Sequence, residues 1–393
     1  MRSKLLILTL GMFAIGTDGY IIAGLLPEIA ELSDVTISTA GQLITAFALV
    51  YAAASPVLAS LFGNLDRRKL LMLSLGVFTF GNILVALTTL YPILLLGRIV
   101  AALGAAMFTP AALAITGGIV PPERRGRSIA LVTSGLTIAT AIGVPIGNWL
   151  GARIGFQGVF WVVAALSLLV LLTIATVFGP VPAPRAVSLK YRLQAARGRG
   201  IPATLTVSLL VFTGAFAVYN YIAEYFHART DISGAQLSWI LLAFGIGGAI
   251  GNFTGGILSD RLGTRATVGI SAAALIISFA TLWFAGYIPP VAITVTVLWG
   301  VSGWLFAPAQ QHRLMELGGA SAPLLISLNS SAMYLGIALS GVVGGLMITT
   351  VGVEQLPLVG ILAAAMTLAL VATAYGGRRA VTAPAEESDA VER

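Results

Sequence analysis

The chain has 393 residues, of which 58% are hydrophobic and 9% charged, and it contains no cysteine. So few charges cannot clothe a soluble protein of this size, and without thiols there are no disulfides, thiolate metal sites or cysteine nucleophiles. The net charge of +7 is spread over short connectors instead of forming one patch, which argues against nucleic acid as a partner.

Twelve long apolar stretches follow one another, at 5–26, 41–62, 70–90, 93–117, 128–150, 159–179, 203–226, 236–258, 266–286, 290–312, 323–349 and 355–376. Each reaches the roughly 20 residues a helix needs to cross a bilayer. None shows the short polar–apolar alternation of a barrel strand, so the spans read as helices. The predicted fold is an all-α membrane protein with twelve transmembrane helices in two six-helix bundles. The start, with Arg2 and Lys4 before an apolar run, imitates a signal peptide. Asp18 interrupts that run and no small-x-small cleavage site follows, so 5–26 reads as a retained span.

The longest connector, 180–202, divides the chain into bundles at 1–179 and 203–376. It opens Pro-rich (Pro180, Pro182, Pro184) and continues basic (Arg185, Lys190, Arg192, Arg197, Arg199), as a cytoplasmic linker would. The segment 377–393 reads as a polar, disordered cytoplasmic tail. With the N-terminus inside, only Arg153 and Arg229 fall in outer loops and Arg98 lies within a span. Every other Lys and Arg is then cytoplasmic, which puts both termini on the cytoplasmic side, and the Cys-free, Ala/Gly-rich composition fits a bacterial inner membrane.

Candidate functional residues appear in chain order. Asp18 opens Asp-Gly-Tyr-Ile-Ile-Ala-Gly-Leu-Leu-Pro, ending at Pro27. It lies about 20 Å along its helix from Leu5, toward the outer side of the hydrocarbon. A carboxylate there is expensive and able to cycle protons. Gly63-Asn-Leu-Asp-Arg-Arg-Lys69 follows the second span and contains Asn64, Asp66, Arg67 and Arg68. Leu96-Gly97-Arg98, with Gly104 beyond it, sets a cation in the fourth span, where it must face a cavity or an anion. Gly135, Gly143, Pro145 and Gly147 mark the fifth; Pro removes a backbone donor and the glycines permit close packing. Glu224 ends the seventh span, as an interfacial carboxylate or a second proton site. Gly256-x-x-x-Asp260-Arg261-x-Gly263-x-Arg265 follows the eighth and echoes the 63–69 loop. An Asp at a helix end can pair with a neighbouring Arg and latch one conformation.

Together these motifs resemble the major facilitator superfamily over essentially the whole chain. The likeness is strongest to its twelve-span drug/proton antiporters, including sugar- and chloramphenicol-efflux members. The resemblance implies a conformational gate in the two loops, with Asn64 standing where the first copy expects Asp and Asp66 as its substitute. It implies proton coupling through Arg98, with Asp18 as its partner. It gives 135–147 the role of the antiporter motif, more typical of exporters than importers. It also implies pseudo-symmetric halves around a central cavity, with Tyr20, Tyr219, Asn220, Trp304, Gln310 and Asn329 as candidate cargo contacts.

Aromatic rings and neutral amides suit a moderately polar, largely uncharged small molecule. The expected function is export of such a cargo in exchange for protons by alternating access, the alternative being a symporter or facilitator that imports a nutrient. No loop cluster suited to catalysis and no Gly-x4-Gly-Lys-Ser/Thr motif is present, so neither an enzyme nor an ATP-driven pump is expected. His227 and His312 sit at opposite faces and form no metal pair. The expected energy source is the proton gradient, with no cofactor. The expected partners are protons, the cargo and the lipid bilayer, and a monomer suffices.

Overall fold

The computed structural model describes residues 2–121, 124–181 and 194–375. The tail 377–393 and the linker residues 182–193, including Arg185, Lys190 and Arg192, lie outside the described residues. Ten helical runs are long and apolar enough to cross a membrane, and two of them, Arg127–Val177 and Gly234–Ala285, hold two crossings each. Among the described residues this makes twelve crossings and no strand.

The first four are α1 (Arg2–Leu32), α2 (Ile37–Leu61), α3 (Arg67–Ala86) and α4 (Tyr91–Ile119). Arg125–Ile138 runs through a π-helical turn at Ala139–Gly143 into Val144–Val177. The chain reverses at Gly155, whose φ of 73° suits a residue without Cβ, so α5 covers 125–154 and α6 covers 156–177. α7 is made of Ile201–Tyr219 and Ile222–Thr230. Leu237–Ala285 reverses in the same way at Gly263, at φ 80°, giving α8 at 237–262 and α9 at 264–285. Then come α10 (Pro289–Gly318), α11 (Ala322–Thr350) and α12 (Leu356–Ala374). An even number of crossings returns the chain to its starting side, so both described ends lie on one face, the terminal face.

The helices before residue 181 pack mainly on one another, as do those after 194, and three seams join the two sets. α2 lies against α11, the π-turn of α5 against α8, and α1 against the second segment of α7. One hydrophobic cluster crosses the seams. Its first-half members come from 20–30, 40–48, 85–94 and 144–160, the non-terminal parts of their helices. The terminal part of the first half has its own cluster around Leu8, Phe108, Ile115 and Ile174, against which Tyr334 of α11 rests. The terminal end of the second half has another, Ile201, Leu314, Leu325 and Leu328. The halves therefore share an apolar core at the non-terminal face, and that face is closed.

Asn148 of α5 helps to close it. Its Nδ2 donates to the Gly234 carbonyl and to Ser238 Oγ, both at 3.0 Å, while the residue is only 3% exposed. Among the described residues of this face, these are the hydrogen bonds that cross between the halves. Asn148→Ala removes both bonds; because Gly234 is exposed and Ser238 half-buried, the cost to the closed face is about 0.5–1.5 kcal/mol per bond. Because the chain has no cysteine of its own, spin labels on two introduced cysteines can measure the separation. Longer distances across the non-terminal face are expected in the variant; an unchanged distribution would show that apolar packing alone holds it shut.

Candidate functional site

α1 reaches Leu32, six residues beyond the predicted span, so Asp18 lies near mid-helix rather than toward the outer end. A polar helix end needs no apolar residues once it clears the hydrocarbon, which is why hydropathy stopped short. Arg98 projects from α4, and its Nη1 donates to Asp18 Oδ1 at 2.8 Å with both side chains fully buried. The guanidinium carbon lies 4.4 Å from the Phe47 ring centroid (α2) and 5.9 Å from that of Phe160 (α6). Asp18 Oδ2, Arg98 Nε and Arg98 Nη2 are buried without a hydrogen-bond partner among the described residues. The neighbouring Thr17 Oγ1 is in the same condition. A buried ion pair is costly unless fully hydrogen-bonded, and this one is not.

The antiporter-like glycines place α5 against this segment of α1. A Cβ on Gly135 would meet the Thr9 carbonyl at 2.3 Å, one on Gly143 the Thr17 hydroxyl at 2.2 Å, and one on Gly147 Ile21 Cδ1 at 2.8 Å. Only glycine permits that approach. Pro145 has no N–H to offer the Ala141 carbonyl, and the Val144 N–H reaches back to Ala139 instead, closing the π-turn. That turn bears on α8 at Gly245.

Aromatic rings continue from the pair into the second half. Tyr51, one turn after Phe47, stacks on Tyr334 of α11 with centroids 3.7 Å apart. Tyr334 is within electrostatic reach of Asp18, Arg98, Tyr20 and Tyr51. Tyr20 lies 5.7 Å from Phe216 and 6.2 Å from Tyr219, both on α7. Phe212 links these to the half-buried Trp304 at 6.2 Å. Of the candidate cargo contacts, Tyr20, Tyr219 and Trp304 thus share one aromatic wall.

The other three are committed elsewhere. Asn220 sits at the break in α7 and donates to Ser340 Oγ and the Ile337 carbonyl, tying α7 to α11. Gln310 and Asn329 belong to a buried knot near the terminal face. Gln310 Nε2 donates to the Thr204 carbonyl and Ser208 Oγ, and its Oε1 accepts from Tyr375 at 2.6 Å. Ser208 Oγ donates to Asn329 Oδ1. Arg313 stacks on the Tyr375 ring at 3.6 Å. These amides tie helices together.

Glu224 does not join Asp18 and Arg98. It lines a small open cleft at the non-terminal face with Gly24, Glu28, Asn148 and His227. Glu28 holds the α5–α6 turn by accepting from the Phe156 N–H.

The two loops resemble each other in what they bind. Asp66 caps α3 through the Lys69 N–H and accepts from the Val181 N–H, while Arg68 donates to the Ala175 carbonyl. Arg67 donates to the Gly63 carbonyl. Asn64 is exposed and forms no hydrogen bond among the described residues, so Asp66, not Asn64, is the acidic-position residue that ties this loop to the chain after α6, beside Arg68. In the second loop Arg265 donates to the Ala372 carbonyl of α12. Asp260 and Arg261 are exposed and do not pair with each other, contrary to the expected latch. Gly256 is not the close-approach residue either, since a Cβ there meets nothing within 4 Å. Its neighbour Gly255 is, lying under the Leu305 carbonyl of α10.

Sequence reading missed Phe47, Tyr51, Phe160 and Asn148. Phe47 and Tyr51 share the i, i+4 spacing of one helix face, but only the fold shows that Arg98 and Tyr334 lie against it.

A buried, incompletely satisfied ion pair inside the first bundle of a twelve-crossing helical protein is the kind of group that marks an ion or substrate pathway through a membrane. A family model described as Major Facilitator Superfamily matches residues 8–202 and again 202–391. The chain belongs to that superfamily. It is 32% identical over 361 residues to the uncharacterized MFS-type transporter YbcL of Bacillus subtilis, covering 91% of this chain and 92% of the relative. It is 30% identical over 365 residues to a chloramphenicol resistance protein of Streptomyces lividans, covering 90% of each. The crystal structure of a D-xylose-proton symporter shares the fold, with a TM-score of 0.73 at 18% identity over 92% of this chain and 96% of that one. The chain is a multi-pass membrane transporter and not an enzyme.

Proposed function

We propose that the protein exports a small, moderately polar or amphiphilic compound from the cytoplasm in exchange for protons, working as a monomer in the bacterial plasma membrane. The observation that carries this reading is the Asp18–Arg98 pair, fully buried yet with Asp18 Oδ2 and two Arg98 nitrogens unpaired. A group in that state changes its energy sharply when it gains a proton or a ligand. The two halves, 1–179 and 203–376, move as units about this centre. With Lys and Arg gathered at the terminal face, that face is cytoplasmic, and the closed face is the outer one.

Asp18 takes a proton from outside and releases it inside. Cargo rests on the wall formed by Tyr20, Tyr219 and Trp304, which offers ring faces and few charges. The resemblance of the α5 glycines to the antiporter motif, and the similarity to a chloramphenicol resistance protein, favour export. The competing reading is proton symport, and proton direction separates the two. The test is purified protein in liposomes with a trapped pH dye, challenged with drugs (chloramphenicol first) and sugars. Proton movement against the cargo supports export. Movement with the cargo makes it a symporter.

A further inference from the structure

When Asp18 gains a proton, Arg98 becomes a buried cation without an anion. Among the described residues no second carboxylate pairs with it. The titratable groups around the pair are Tyr20 on α1, Tyr51 on α2 and Tyr334 on α11, and a phenol with its ordinary pKa near 10 is neutral at pH 7. The packed stretches of α3 at 70–86, α5 at 128–152 and α6 at 156–177 contain no titratable side chain. What faces the guanidinium instead is aromatic: Phe47, 2% exposed and 4.4 Å away, and Phe160, fully buried and 5.9 Å away.

We propose that Phe47 is a positioning residue for the proton switch, its ring face holding Arg98 through the part of the cycle in which Asp18 is protonated. This rests on the reading of Asp18 and Arg98 as the switch. A ring quadrupole attracts a cation most strongly where water is excluded. While Asp18 is ionised, the guanidinium is drawn to the carboxylate. Once Asp18 is neutral, the ring competes with no anion and the guanidinium settles onto it. Phe47 therefore favours the protonated state. It also passes the change on, because Tyr51 lies one turn further along α2 and stacks on Tyr334 of the second half.

The sign of the effect follows. Phe47→Leu removes the attraction, makes protonation of Asp18 harder and moves its midpoint to lower pH. Phe47→Trp strengthens the attraction and moves the midpoint to higher pH. Each shift is expected to be about half to one pH unit. The experiment needs no cargo. Infrared spectra of the protein in lipid are recorded across a pH titration, and the protonated-carboxyl band missing from Asp18→Asn is assigned to Asp18. Opposite shifts for Leu and Trp are the expected result. A role in packing alone would lower stability and leave both midpoints where they were, which overturns the proposal. If the Leu variant does not fold, the Trp variant alone decides, since an unmoved or lower midpoint contradicts the attraction. If no band is lost in Asp18→Asn, the switch reading itself fails, separately from the role of Phe47.

Discussion

Asp18→Asn is expected to abolish proton-coupled transport while cargo exchange down a gradient survives. Asparagine matches aspartate in shape and keeps an oxygen that can accept from Arg98 Nη1, now 2.8 Å from Asp18 Oδ1. The fold therefore persists. What disappears is the ability to alternate between an anion paired with Arg98 and a neutral acid. The variant resembles the protonated state permanently, so the proton gradient can no longer drive the cycle. That gradient supplies about 1.4 kcal/mol per proton for each pH unit and about 2.3 kcal/mol per charge for each 100 mV. Uphill accumulation should fall to the level of empty liposomes, while counterflow of labelled cargo continues. Uphill transport at the wild-type rate would move the coupling role elsewhere.

Arg98→Met should be costlier to the protein itself. It leaves the Asp18 carboxylate fully buried with no cation and, among the described residues, no hydrogen-bond donor to either oxygen. Breaking a buried pair from one side costs about 3–5 kcal/mol. The unfolding temperature of the purified protein should drop accordingly. Adding Asp18→Asn removes the stranded charge, so the double variant should recover most of that stability and still show no proton coupling. Non-additivity of this kind is the signature of a direct pair. Equal losses that simply sum would mean that the two side chains do not depend on each other.

How much of this was legible in the sequence differs residue by residue. The spans were readable because the bilayer imposes length and apolarity on every crossing. Asp18 and Arg98 stood out because a charge inside an apolar run has no cheap explanation. Their contact was not readable, as 80 residues separate them and nothing local records the meeting. Phe47 and Phe160 were hidden among 17 phenylalanines, each as suited to lipid or core as to a cation. Gln310, Asn329 and Asn220 were read as cargo contacts because a neutral amide in a membrane can serve a ligand or a neighbouring helix. The fold assigns all three to helix ties, through Thr204, Ser208 and Ser340. The motif spacing points to Gly256, while the close approach falls on Gly255, because which of two adjacent glycines faces the neighbouring helix depends on a rotation that spacing does not record. The gate loops show the same limit: Asp66 and Asn64 are two residues apart, and only the N–H groups of Lys69 and Val181 show which one binds.

The closed non-terminal face and the buried pair describe a single state of a cycle. Asn148 closes that face from α5, the helix whose glycines rest on α1 beside Thr17 and Asp18. One helix therefore touches both the proposed proton switch and the seam between the halves.

The most direct test of the central claim is cargo-driven proton movement in liposomes containing wild-type protein or Asp18→Asn, read from a trapped pH dye. The account predicts protons moving opposite to cargo in the wild type and none in the variant. Proton movement of undiminished size in Asp18→Asn would contradict it.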